Sequence, residues 1–423
     1  MRYELDPSVR RREGGRLLAG GTPPRLLRLS PAGARALDRI LAGAPLDGAA
    51  AKLAAELSAR GTIAPLPPPS EPTTLTAVVP VRDGGPRLPH LIAALRERGE
   101  VIVVDDRSRD GSPELAAAAG ARVLANSGAA GPAGARNTGL RAAATELVAF
   151  VDADCEVAPG WSEGLAALLL AEPGLALVAP RIRSAPGASR IARYERRHSP
   201  LDLGPSPGLV GPGRRVGYLP AAALLARREP LLALGGFDEG LRYGEDVDLI
   251  WRLLAAGHLV RYAPQITVEH APRSSRGALA RQRAGYGSSA APLEARHPGA
   301  LAPLQGNPVA MAAATVRAVA RSSSPASRRA LAALGLRGER ELAGQLGRAL
   351  CREWLPLTAA AALTSRRGRR LAAAALAVDL VSTGGLRLID NAAYATGLWA
   401  GALRERRPGV LLPRLGSRGS SGR

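Results

Sequence analysis

Between Leu75 and about His270 the apolar residues come in short, Val-rich runs, each followed by a polar loop and a helix-length stretch. Leu75–Pro80, Val101–Asp105, Arg122–Ala125, Leu147–Asp152 and Leu177–Pro180 predict strands. Runs with little polar alternation belong to strands covered on both faces, as in a parallel sheet flanked by helices. The segments between them, Pro86–Arg98, Ser112–Ala119, Gly134–Ala144 and Trp161–Glu172, predict the helices of βαβ units. The pattern predicts an α/β domain over 75–270 with a doubly wound, mostly parallel sheet. Its ligand should lie beyond the C-terminal ends of the strands.

The flanks read differently. Two β-like segments, Gly15–Gly20 and Arg25–Leu29, surround a Gly-Thr-Pro-Pro turn at 21–24. Ser30 then stands at a helix N-cap position and Pro31 at the first helical one. That helix should run to about Ala42, and a second from about Asp47 to Arg60, stopped by Gly61. A hairpin with two helices in residues 1–64 predicts a small winged-helix-like unit. The Pro-rich stretch 65–74 predicts a stiff linker. Residues 271–423 are Ala- and Arg-rich and predict a helical region ending in a disordered Gly/Ser/Arg tail.

Charge narrows the partners. Lys and Arg number 57 against 36 Asp and Glu, a formal charge of +21, and Lys52 is the only lysine. Such a surface attracts anions: phosphorylated small molecules, anionic lipid or nucleic acid. A winged-helix nucleic-acid binder is the alternative from a different class. The helix expected at 31–42 carries only Arg35 and Arg39, with Asp38 between them, which argues against a recognition helix, so no nucleic-acid partner is expected. Cys155 and Cys351 give neither a disulfide framework nor a metal-ligand spacing and fit a reducing cytoplasm. The N-terminal stretch is charged, which predicts no signal peptide. Apolar stretches at 355–364 and 371–381 are split by Arg366, Arg367, Arg369 and Arg370, and neither reaches the ~20 residues of a span. A cytoplasmic chain with an Arg-flanked, peripheral membrane contact fits this pattern.

The chemistry gathers where strands end. The first strand ends in Pro80-Val81-Arg82-Asp83, the second in Asp105-Asp106-Arg107-Ser108-Arg109-Asp110, the fourth in Asp152-Ala153-Asp154. In an open α/β sheet these positions converge on one crevice. Carboxylates crowded there need a hard divalent cation or hydrogen-bonding ligand to offset their repulsion. An Asp after a strand is also a common turn or cap residue, and Asp110 before Gly111-Ser112 fits that plainer role as well. Gly131-Pro132-Ala133-Gly134-Ala135-Arg136-Asn137 opens the helix before the Asp152 strand, and Arg136 is suited to a uracil carbonyl or a phosphate. A second acidic cluster, Glu245, Asp246 and Asp248, follows Gly235-Gly236-Phe237-Asp238-Glu239. Carboxylates in the first turn of a helix stabilise its dipole, but three in four residues suggest that one is a general base. His270, ending a strand-like run, is a candidate third metal ligand beside Asp152 and Asp154.

With these blocks in this order, residues 75–270 resemble family 2 glycosyltransferases. The resemblance rests on Asp105-Asp106-x-Ser108-x-Asp110-Gly111, Ala135-Arg136-Asn137, Asp152-x-Asp154, Gly235-Gly236-Phe237-Asp238-Glu239 and Gly244-Glu245-Asp246-x-Asp248-Leu249. It implies a GT-A fold and inversion at the sugar's anomeric carbon. It also implies that Pro80 and Arg82 flank the nucleobase, which Asp105 or Asp106 and Arg136 bind. Asp152 would contact ribose or metal, Asp154 and His270 would hold Mg²⁺ or Mn²⁺, and Asp246 would be the base with Glu245 as the alternative. The Gln-x-x-Arg-Trp motif of processive synthases is not evident; the segment reads Ile250-Trp251-Arg252-Leu253, which implies a non-processive enzyme.

A narrower resemblance draws on the flanks. The N-terminal unit, Tyr194-Glu195 and the stretch from Tyr286-Gly287-Ser288-Ser289 to Arg296-His297-Pro298 are similar to mycofactocin-system glycosyltransferases. It implies transfer of glucose from UDP-glucose to a peptide-derived redox cofactor precursor, premycofactocin. Residues 1–64 are similar to peptide-binding winged-helix modules; Arg281 and Arg283, on a basic segment after His270, would either fold over the diphosphate or belong to a solvated basic helix. A lipid-linked or cell-wall acceptor is the alternative within the same class.

Overall fold

The computed structural model describes residues 2–21, 24–68, 73–303, 308–321, 324–370, 372–373 and 385–414. The expected tail and most of the apolar stretch 371–381 lie outside them, as do residues 69–72 of the expected linker. The described chain divides into two compact units. One comprises residues 1–10, 20–23 and 29–272; the other comprises 11–19, 24–28 and 273–423.

The first unit opens with β1 (Arg2–Leu5), and the N-terminal strands continue with β2 (Arg10–Arg12), β3 (Leu17–Gly20), β4 (Arg25–Arg28) and β5 (Ile63–Leu66). β1 pairs with β5 in an antiparallel two-stranded sheet, so the start of the expected linker is strand. Helix Pro31–Leu41 begins at Ser30, whose side chain accepts from Gly33 N, and helix Gly48–Ala59 begins at Asp47 in the same way. Both caps satisfy a backbone N–H that a helix end leaves unpaired.

The body of this unit is a nine-stranded sheet. Its strands are β6 (Thr76–Val81), β7 (Val101–Asp105), β8 (Arg122–Ala125), β9 (Leu147–Val151) and β10 (Cys155–Val157), then β11 (Leu175–Ser184), β12 (Gly208–Leu209), β13 (Ala223–Arg227) and β14 (Leu259–His270). Their order is β10-β14-β11-β13-β9-β6-β7-β8, with β12 paired to β14. β6 to β9, β11 and β14 run one way, while β10, β12 and β13 run against them, giving a mixed, mainly parallel sheet. β6 lies between β7 and β9, so the chain moves outward in opposite directions from the β6/β9 pair. That is the switch point at which α/β sheets open a ligand crevice.

Burial explains why the strands are apolar throughout: Ala77 to Val79, Ile102 to Val104 and Val148 to Val151 are fully covered. Helix Pro132–Ala142 is buried from Ala133 to Leu140 because it lies hard against β6. A Cβ on Gly139 would meet the Val78 side chain at 2.3 Å, so only glycine permits that approach. Between β11 and β14 the register jumps from Pro180↔Ala263 to Arg181↔Thr267, which leaves Pro264 to Ile266 as a bulge in β14. Ile266 packs on the sheet core from this bulge.

In the second unit, β2, β3 and β4 form a three-stranded sheet. Leu17 and Ala19 pack with Ala330 and Leu334 of helix Pro325–Cys351, and Arg28 reaches Glu13 at 2.9 Å and Ser327 at 2.7 Å. Compactness therefore groups the hairpin strands with the C-terminal helices, whereas composition placed a boundary at residue 64. Helix Arg276–Ser288 packs on helix Leu386–Arg404 in the same unit. No helix among the described residues is long and apolar enough to cross a membrane.

Candidate active site

Loops after β6 and β7 form one wall beyond the switch point. Asp83 N and Gly84 N donate to the Ser108 and Ser112 hydroxyls at 3.0 and 2.9 Å, Gly85 N donates to Asp110 at 2.9 Å, and Arg109 N donates to Asp83 at 2.8 Å. Asp110 thus ties two loops together. Asp105 accepts from the backbone of Arg107 and Ser108 at 3.2 and 3.1 Å, closing its own turn. Asp106 is buried and accepts from Asn126 Nδ2 at 2.8 Å and Gly131 N at 2.9 Å, holding the loop that leads into helix Pro132–Ala142. Pro80 is half-buried within β6, and Arg82 is exposed just past its end.

Arg136 is the centre of the crevice's charge. Its guanidinium is 4% exposed and donates to Asp152 Oδ1 at 2.7 Å and Glu245 Oε1 at 2.8 Å, with the Phe237 ring 5.5 Å away. Burial alone would lower its proton affinity, but Asp152 and Glu245 outweigh that and hold it above the ordinary value. Burial pushes the Glu245 carboxyl up to about 7, with Asp246 adding to the rise and Arg136 opposing it. Asp246 is raised by burial too, and Arg136 opposes this, as do the backbone N–H groups of Ala221 and Val247 at 3.2 and 2.8 Å. One cation thus opposes the rise of two buried acids, both held above the usual carboxylate range, a setting suited to proton transfer.

Asp154 and His270 form a second group. Antiparallel pairing sets Cys155 opposite His270, Ala271 N donates to the Asp154 carbonyl at 2.9 Å, and His270 Nε2 lies 3.1 Å from Asp154 Oδ1. The Asp154 side chain is 40% exposed, so it faces solvent, while His270 is buried behind it. Asp152 points instead to Arg136. Among the described residues, no group of three or more His, Cys, Asp or Glu is arranged to hold a metal ion. The structure therefore joins Asp154 to His270, and Asp152 to Arg136 and Glu245.

Two further devices were not singled out from sequence. Asn137 Nδ2 donates to the Phe237 carbonyl at 2.8 Å and to Glu239 at 2.9 Å, and Asn137 Oδ1 accepts from Phe237 N at 2.8 Å. Glu239 in turn accepts from Ala129 N at 2.7 Å. Asp248 pairs with Arg252 at 2.7 Å, and Arg252 donates to the carbonyls of Leu234 and Gly236. Both fix the Gly235–Glu239 loop; the residues were present in the motifs, but Asn137 lies about a hundred positions from the loop it holds, and nothing in the sequence marks the Asp248–Arg252 pair, one helical turn apart, as a loop clamp. The expectation for Arg283 is corrected: it is 1% exposed and ion-paired to Asp390 at 3.0 Å within the second unit, so it is committed to helix packing.

Acids are thus arranged around a buried arginine, and comparison with known proteins gives the class. The model for "Glycosyl transferase family 2" matches residues 76–228. Over 97% of both chains this protein is 39% identical to the pre-mycofactocin glycosyltransferase of Mycobacterium tuberculosis. The chain belongs to the family 2 glycosyltransferases. It is also 30% identical to the succinoglycan biosynthesis protein ExoU of Rhizobium meliloti, over 44% of this chain and 58% of that one. Among solved structures, a mannosyltransferase from Pyrobaculum calidifontis in complex with GDP-Man and Mn²⁺ matches with a TM-score of 0.48 at 20% identity, covering 80% of this chain and 91% of that one.

Proposed function

We propose that this glycosyltransferase moves a hexose, glucose from UDP-glucose, onto a peptide-derived redox cofactor precursor, premycofactocin, by an inverting, GT-A-type displacement. The acceptor is supported by the relative of that name, which matches nearly end to end. The observation that carries the reaction is the gathering of Arg136, Asp152, Glu245 and Asp246 beyond the β6/β9 switch point. Pro80 and Arg82 would flank the nucleobase, with Asp105 or Asp106 and Arg136 binding it, from loops that both aspartates hold in shape. Asp152, steered by Arg136, would meet the ribose.

The donor set at Asp154 and His270 fits a divalent cation. A carboxylate and an imidazole 3.1 Å apart, with the carboxylate open to solvent, leave positions for waters and phosphate oxygens. Mg²⁺ or Mn²⁺ bound there would stabilise charge on the departing diphosphate. The acceptor hydroxyl attacks the anomeric carbon as the bond to the diphosphate oxygen breaks, and its proton passes to Asp246, with Glu245 as the alternative. The first 64 residues would bind the acceptor's peptide-derived part, and the reaction would take place in the cytoplasm.

The test is product formation from UDP-glucose and premycofactocin with Mn²⁺, comparing the wild type with Asp154→Ala. Loss of turnover is expected in the variant. Full activity in the variant, or no turnover with any nucleotide sugar, would sink the proposal.

A further inference from the structure

Helix Leu355–Thr364 in the second unit has one anchored side and one bare side. On the anchored side Thr358 is buried and donates to the Leu350 carbonyl at 2.9 Å, and the preceding Trp354 Nε1 donates to the Leu411 carbonyl at 2.7 Å. The opposite side presents Leu357, Ala359, Ala360 and Leu363 to solvent; Leu357 is 55% exposed and Leu363 is 84% exposed. Solitary exposed leucines are ordinary. Here the exposed apolar groups share one helical face, spaced about 9 Å along the axis from Leu357 to Leu363.

The charge beside this face has a single sign. Ser365 breaks the helix with an extended backbone and caps the next turn by accepting from Gly368 N at 2.9 Å. Arg366, Arg367, Arg369 and Arg370 follow, all exposed. From Trp354 to Arg370 there is no Asp or Glu. An apolar helical face bordered by exposed guanidinium groups matches an interface that is apolar within and anionic at its rim. Ten helical residues cover about 15 Å, half of a bilayer's hydrocarbon thickness, so the helix can lie on such a surface but not cross it.

We infer that residues 355–370 dock this protein onto the surface of an anionic lipid bilayer, with Leu357 and Leu363 entering the headgroup boundary and the four arginines meeting lipid phosphates. The inference is independent of the sugar or acceptor used.

The experiment is flotation of the purified full chain with phosphatidylcholine vesicles, with and without phosphatidylglycerol, at physiological ionic strength. Partition into the anionic vesicles alone is expected. Replacing all four arginines with Gln should weaken it on the order of 600-fold, at about fivefold for each basic residue at the surface. Leu363→Ser should weaken it about tenfold while leaving the melting temperature unchanged, because that side chain is 84% exposed. No partition, equal partition into neutral vesicles, or wild-type partition of folded Leu363→Ser would overturn the inference. So would light scattering that shows a dimer lost in Leu363→Ser, or a DNA duplex that binds through the same arginines while anionic vesicles do not.

Discussion

Replacing Arg136 with Met removes a cation that is 4% exposed, together with ion pairs of 2.7 and 2.8 Å, and leaves a side chain of similar reach. The two carboxylates left behind differ. Asp152 is 27% exposed and regains water; Glu245 is 9% exposed and does not. Removing one partner of a buried pair costs about 3–5 kcal/mol. With Asp152 contributing little, about 3 kcal/mol is expected at about pH 8, where Glu245 is mostly ionised in the wild type. Glu245 titrates at about 7 with Arg136 opposing the rise, so without Arg136 it moves higher still. A carboxyl raised on folding contributes stability in full below its unfolded value, and this is lost as pH rises through the folded one. At about pH 5 Glu245 is neutral in both proteins and the deficit shrinks by about 1.4 kcal/mol, one proton's linkage over the unit between about 7 and pH 8. Native-state hydrogen exchange of the β9 amides, Leu147–Val151, measured against urea at both pH values reads the difference. Adding Glu245→Gln to the variant should restore most of the high-pH deficit. An equal deficit at both pH values, or one below about 1 kcal/mol at the higher pH, would refute the reasoning.

Two other outcomes follow from the same geometry. Gly236 has φ +73° and a Cβ there would lie 2.3 Å from Asn137 Oδ1, so Gly236→Ala should cost about 1–3 kcal/mol and lower the melting temperature; an unchanged melt would remove the clamp from the account. Asp246→Asn should lower kcat by about 100-fold or more, with the donor KM little changed, while Glu245→Gln should cost less; steady-state kinetics giving the reverse order would move the base to Glu245.

Much of the sheet was legible because its strands are unbroken apolar runs: β7 and β8 begin and end where their residues predict. β13 was not, because Ala223–Arg227 runs straight into helix Arg228–Ala233 without a turn residue to separate them. β14 was visible only at its end, since the bulge interrupts its pairing and hides its length. At the site, the strand-end acids could be located but not their partners. Asp106 looks like a ligand group in sequence, yet its carboxylate is occupied by Asn126 and Gly131. Arg136 looks like an anion binder for a substrate, yet its anions are Asp152 and Glu245, the second 109 positions away. The boundary near residue 64 follows a change in composition, while compactness depends on which apolar faces meet, and Leu17 meets Ala330.

The bulge in β14 gives the Asp154–His270 pair a dependence on counting. Side chains along a strand alternate between faces, and His270 shares a row with Ser184 and Cys155 only because Pro264 to Ile266 are set aside from the ladder. If one of the three is deleted and the later ladder slips by one position to close the gap, every later side chain turns over, and His270 faces away from Asp154. Residue type at 264 and 265 is therefore a matter of local comfort, whereas residue number is part of the site. Across related chains, this short stretch should vary freely in spelling and hardly at all in length.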